Sequence, residues 1–76
     1  MPYIQTADEA IEIADKLVAK YYPFKKLLKA VLEEVLLGES YWVVEFDVGI
    51  LKPRVARMKL ARSTGQVLEY TTSETV

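Results

Sequence analysis

From Tyr41 onward the chain alternates. In the stretch YWVVEFDVGI, Trp42, Val44, Phe46, Val48 and Ile50 fill the even positions, and Glu45 and Asp47 fall on odd ones. Successive side chains of a strand point to opposite faces, so this pattern predicts a strand over 41–50 with one face buried. A second strand is predicted over 54–62, with Ala56, Met58 and Leu60 inward and Val55, Arg57, Lys59 and Ala61 outward. A third follows over 66–72, joined by the loop Ser63-Thr64-Gly65, in which Gly65 supplies the left-handed residue. Outward residues must oppose outward residues. A short connection around Leu51-Lys52-Pro53 then sets Asp47 against Arg57, Glu45 against Lys59, Phe46 against Met58 and Val44 against Leu60. In the third strand Leu68 faces Leu60, Tyr70 faces Met58, and Glu69 lies beside Lys59, leaving Lys59 between two carboxylates.

Upstream the apolar spacing is helical. Thr6-Ala7-Asp8-Glu9 has the form of a capping box. Ala7, Ala10, Ile11, Ala14, Leu17, Val18 and Tyr21 then trace one stripe of a helix over 6–22. Pro23 ends that helix and suits the first turn of another. Phe24, Leu27, Leu28, Val31, Leu32, Val35 and Leu36 recur at steps of three and four, predicting a second helix over 23–37 capped by Gly38. Its charges oppose the helix dipole: Lys25, Lys26 and Lys29 lie in the first turns, Glu33 and Glu34 in the last. The expected architecture is a single α+β domain, 1–76, with two N-terminal helices on one face of a three-stranded antiparallel meander (ααβββ). The tail from Ser73 to Val76 is expected to fray.

Composition narrows the chemistry. There is no Cys and no His, which removes thiol chemistry, the usual general base and the common zinc ligands. No glycine-rich phosphate loop is present, and Glu33, Glu34 and Glu39 do not converge on one helical face. The expectation is a protein that is not an enzyme, with no cofactor and no metal. The net charge is −1, divided unevenly: residues 1–50 carry five basic and nine acidic side chains (net −4), residues 51–76 five and two (net +3). No apolar run reaches the ~20 residues of a membrane span, and the first residues do not read as a signal peptide. The expectation is therefore a cytoplasmic chain with no membrane partner. The absence of Asn and the scarcity of Gln hint at a thermophilic source.

Two segments resemble PepSY-type domains: Thr6-Ala7-Asp8-Glu9-Ala10-Ile11-Glu12-Ile13-Ala14, similar to their T-x-x-E-A-x-x-x-A helix start, and Ala56–Leu68, similar to their last hairpin. Two features depart from that pattern: Ala61 stands where the family usually has Asp, and the segment over 23–37 is longer than its counterpart. The resemblance implies a helix followed by antiparallel strands and a role in modulating peptidases.

The leading functional expectation is a non-enzymatic interaction or regulatory domain that binds a protein partner or itself as a homodimer. A three-stranded meander has two edge strands with unpaired backbone groups, the first of them the strand at 41–50. The alternative is nucleic-acid binding, from Lys52, Arg54, Arg57, Lys59 and Arg62 clustered on and around the middle strand and Tyr41 as a stacking ring. Candidate partner or anion contacts are Lys25, Lys26, Lys29, Tyr41, Lys52, Arg54, Arg57 and Arg62.

Overall fold

The computed structural model describes residues 3–36 and 38–74. One helix, α1 (Ala7–Ala19), precedes four strands: β1 (Lys26–Glu33), β2 (Tyr41–Asp47), β3 (Arg54–Ala61) and β4 (Val67–Glu74). They form an antiparallel sheet in the order β1-β2-β3-β4. The helix begins where the sequence places it. The Thr6 side chain accepts from the Glu9 amide at 3.3 Å, and the Glu9 carboxylate accepts from the Thr6 amide at 3.0 Å. Ala10, Ala14 and Val18 are fully buried, and their small side chains let α1 settle closely on the sheet.

The second helix does not form. Residues 26–33 make β1, an edge strand, and the architecture is αββββ rather than ααβββ. Pro23 and Phe24 belong to the link between α1 and β1, and Gly38 to the β1–β2 connection, not to a helix cap. Leu37, the last residue of the expected helix, lies outside the described residues. The helical spacing is also that of a strand with one extra residue. Leu27 pairs with Phe46 and Lys29 with Glu45, leaving Leu28 as a bulge, after which Ala30 and Leu32 return to the helix-facing side. The charges that oppose a helix dipole suit this pairing, because Lys26 stands opposite Asp47 and Lys29 opposite Glu45.

β2 is thereby a central strand. Its residues Trp42, Val44 and Phe46 pack with Ala56, Met58 and Leu60 beneath the helix. Val43, on the opposite face, is also buried, at 1 % exposure. It sits in a row Val31–Val43–Lys59–Glu69 that crosses all four strands. The indole N–H of Trp42 donates to the Ile4 carbonyl at 3.0 Å, and the Ile4 amide donates to the Arg62 carbonyl at 2.8 Å. These two bonds fasten the segment before α1 to the sheet, with the Ile4 side chain in the core.

The predicted faces hold, but the β2–β3 register is displaced by two residues. Val44 pairs with Met58, Glu45 with Arg57, Phe46 with Ala56 and Asp47 with Val55. The cause lies in the connection. Asp47 Oδ1 accepts from the amides of Gly49 (3.0 Å) and Arg54 (3.3 Å), and Val48 N–H donates to the Arg54 carbonyl at 2.8 Å. This organises a wide loop over 48–53, so Ile50 belongs to the loop rather than to the strand. In β4, Tyr70 faces Met58 and Glu69 faces Lys59 as expected, but a bulge brings Val67 rather than Leu68 opposite Leu60. Gly65 has φ of 76° and donates to the Ala61 carbonyl at 2.7 Å. Ser73 and Glu74 lie within β4; Thr75 and Val76 are outside the described residues.

The 48–53 loop leaves no room at Gly49. A Cβ there meets the Lys52 carbonyl oxygen at 1.7 Å and the Arg54 nitrogen at 2.9 Å, whereas at Gly38 the nearest atom is a Val35 methyl at 3.1 Å. Gly49→Ala is expected to destabilise the fold by at least about 2 kcal/mol, and Gly38→Ala by no more than about 0.5 kcal/mol. Urea unfolding of the two variants beside the parent measures the difference.

Candidate interaction surface

The outer face of the sheet, away from α1, is a lattice of opposite charges. Arg57 Nε lies 3.5 Å from Glu45, and Lys59 Nζ lies 3.0 Å from Glu69. Lys59 is not shared between two carboxylates as the sequence suggested. It bonds Glu69 and stands 5.2 Å from the centre of the Tyr41 ring, while Glu45 turns to Arg57. Exposed pairs of this kind fix register more than they add stability.

The eight sequence-selected residues do not form one site. Lys25 bonds Asp15 of the helix at 3.2 Å. Lys26 and Lys29 lie on the outer face of β1, opposite Asp47 and Glu45. Tyr41 is on a central strand beneath Lys59, not on an edge. Lys52 is in the 48–53 loop, Arg54 begins β3, and Arg57 is paired with Glu45. Arg62, at the far end of β3, places its guanidinium 4.8 Å from the centre of the Tyr3 ring, with a buried Nε that has no hydrogen-bond partner. The middle-strand cations are thus divided between the two ends of the sheet and the carboxylates between them.

The last strand is an edge, as the meander predicts, but its helix-facing side is not roofed. α1 packs on β1, β2 and β3, and the helix-facing side of β4 is left open. Val67, Leu68 and Tyr70 are exposed there. Tyr70 and Thr72 form a groove of about 310 Å³ with Tyr21 and Tyr22, which follow the helix. The Tyr70 hydroxyl lies beside Tyr22. Only the inward phase of Tyr70 was legible in the sequence; a second helix would have covered it.

Backbone phase adds to this. Val48 N–H donates to the Arg54 carbonyl and Arg62 N–H to the Ser40 carbonyl, so even-numbered residues of β3 bond toward β2 and odd-numbered ones toward β4. With Arg57 opposite Thr71 and Lys59 opposite Glu69, the odd residues of β4 complete that ladder. Tyr70 and Thr72 therefore turn their N–H and C=O groups to the free edge. The β1 edge differs: it carries Lys26, Lys29 and the Leu28 bulge, devices that discourage edge pairing. From Tyr70 to Ser73, β4 has neither charge nor proline.

Among the described residues no helix is long and apolar enough to cross a membrane, and no group of three His, Cys, Asp or Glu side chains is placed to hold a metal ion. Compared with models of known protein families, with curated proteins and with solved structures, the chain matches none.

The groove has a titration signature. Burial pushes the Tyr70 phenol above its ordinary value of 10.0, and the adjacent Tyr22 and Tyr21 push in the same direction. The folded state thus keeps this proton when the unfolded chain has lost it. The associated stability is full below pH ~10 and is lost as pH rises past that value toward the folded-state pKa. In an absorbance titration, Tyr70→Phe is expected to remove a tyrosine that ionises above its ordinary value and to flatten the alkaline loss of stability; an unchanged late phase would assign it to another ring.

Proposed function

We propose that this chain is a non-catalytic interaction domain whose partner is a second copy of itself, joined through the free edge of β4. The carrying observation is the uncovered strand: β4 offers the backbone groups of Tyr70 and Thr72 beside the exposed underside of Leu68 and Tyr70. Antiparallel pairing of two such edges gives a continuous sheet of eight strands and satisfies those groups. The edge is suited to its own copy. With Tyr70 opposite the second copy's Thr72, Thr71 meets Thr71 and Glu69 meets Ser73, so no like charges are opposed. The tyrosine groove extends the contact beneath the new ladder. For nucleic acid no comparable feature supports the reading, because Arg57 and Lys59 are ion-paired with Glu45 and Glu69.

Two proline substitutions separate edge pairing from folding. Thr72→Pro removes an N–H that β3 does not use and should abolish the dimer while changing monomer stability by less than about 1 kcal/mol. Thr71→Pro removes a ladder bond to β3 and should cost about 3 kcal/mol or more. Sedimentation equilibrium with parallel thermal unfolding reads both. A parent chain that stays monomeric at millimolar concentration contradicts the proposal, as does a Thr72→Pro variant that still dimerises.

A further inference from the structure

The two ends of the sheet differ in charge. At one end the β1–β2 connection carries Glu34 and Glu39 next to Glu33, and Arg62 and the segment leading into α1, with Asp8 and Glu9 in its first turn, are bonded at the same end. At the other end Lys20 and Lys25 flank the turn after α1, Lys26 opens β1, and Lys52 sits in the 48–53 loop. The acids near this second end are largely committed: Asp47 accepts the loop amides and Asp15 bonds Lys25. Lys20, Lys26 and Lys52 form no ion pair among the described residues.

The same end is apolar at its tips. Ile50 is 73 % exposed and Leu51 96 %, and Phe24 is 46 % exposed beside them. Tyr22 and Pro23 line a cleft of about 410 Å³ together with the 48–53 loop, and Phe24 adjoins it with Ile50. Tyr22, Pro23 and Phe24, flanked by Lys20, Lys25 and Lys26, therefore lie against the 48–53 loop that carries Ile50, Leu51 and Lys52, a juxtaposition that the 23 positions between Lys26 and Ile50 hide in the sequence.

We propose that this end docks on a membrane surface containing anionic lipid, with Ile50, Leu51 and Phe24 entering the interface and Lys20, Lys26 and Lys52 at headgroup level. Projecting apolar tips ringed by lysines match that boundary on both counts. Apolar side chains gain by leaving water, and each lysine near an anionic surface adds an attraction that salt screens. A protein partner would need a cavity shaped to two separate loop tips; a fluid interface does not. Docking does not depend on edge pairing. In an antiparallel pair the two basic ends point in opposite directions, so one copy engages a given surface.

The test is flotation with vesicles of phosphatidylcholine alone and of two parts phosphatidylcholine to one part phosphatidylserine. It is run on the full chain carrying Thr72→Pro, with the parent chain in parallel, so that failure of the edge proposal stays separate. Binding to the anionic vesicles only, lost at high salt, is expected. Lys52→Glu should weaken it at least about fivefold, and Leu51→Glu should reduce it to background with unchanged thermal unfolding, because that side chain is almost wholly exposed. Leu36→Glu, at the acidic end, should leave it unchanged. No flotation with either vesicle, or equal flotation with both, overturns the proposal. So does lipid-independent self-association abolished alike by Leu36→Glu and Leu51→Glu, which would assign the basic end to the acidic end of another copy.

Discussion

A single helix has to roof four strands, and it is too narrow to do so. An α-helix with its side chains is about 10–12 Å across, while four strands at a spacing of about 4.8 Å span roughly 14 Å between their outer axes. α1 lies over β1, β2 and β3. The small residues Ala10 and Ala14 draw it close to the sheet, which deepens the core without widening the cover. β4 is thus held by its ladder with β3, and its helix-facing residues Val67, Leu68 and Tyr70 are only partly covered. The tyrosine groove, the free edge and the proposed mode of self-association all follow from that mismatch.

The core is correspondingly centred on β2. Buried on its helix-facing side and, at Val43, on the outer side as well, it is the strand through which the rows of the outer lattice pass and onto which Trp42 fixes the segment before the helix. Its two neighbours meet different requirements. β3 supplies Ala56, Met58 and Leu60 to the core, together with the cations that neutralise Glu45 and Glu69. β1 closes the other flank with a bulged edge bearing lysines, so the sheet is guarded on one side and open on the other.

Local signals were legible where one rule decides the conformation. The Thr6–Glu9 capping box, the alternation from Trp42 to Val48 and the Gly65 turn each reappear in the structure. The β2–β3 register escaped by two residues because a carboxylate, Asp47, organises a loop wider than a tight hairpin, and residue spacing alone does not reveal that bond. The segment from Phe24 to Leu36 was misread for a deeper reason. A bulged strand and an amphipathic helix place apolar side chains at overlapping positions, and pairing with β2 decides between them. The dipole-opposing order of Lys25, Lys26, Lys29, Glu33 and Glu34 was the sign against a helix. That misreading also displaced the candidate surface, since it made β2 an edge and hid the exposure of Tyr70. Of the selected cations, Lys25 and Arg57 are absorbed by Asp15 and Glu45, whereas Lys26 and Lys52 converge at the basic end only once the chain is folded.

Amide hydrogen exchange along β4 in a dilute, monomeric sample tests the uncovered strand most directly. The structure predicts alternation: slow exchange at Glu69, Thr71 and Ser73, whose amides face β3, and fast exchange at Tyr70 and Thr72, whose amides face solvent. Uniform protection from Glu69 to Ser73 under those conditions would mean that something else in the chain covers this edge and that β4 is not open.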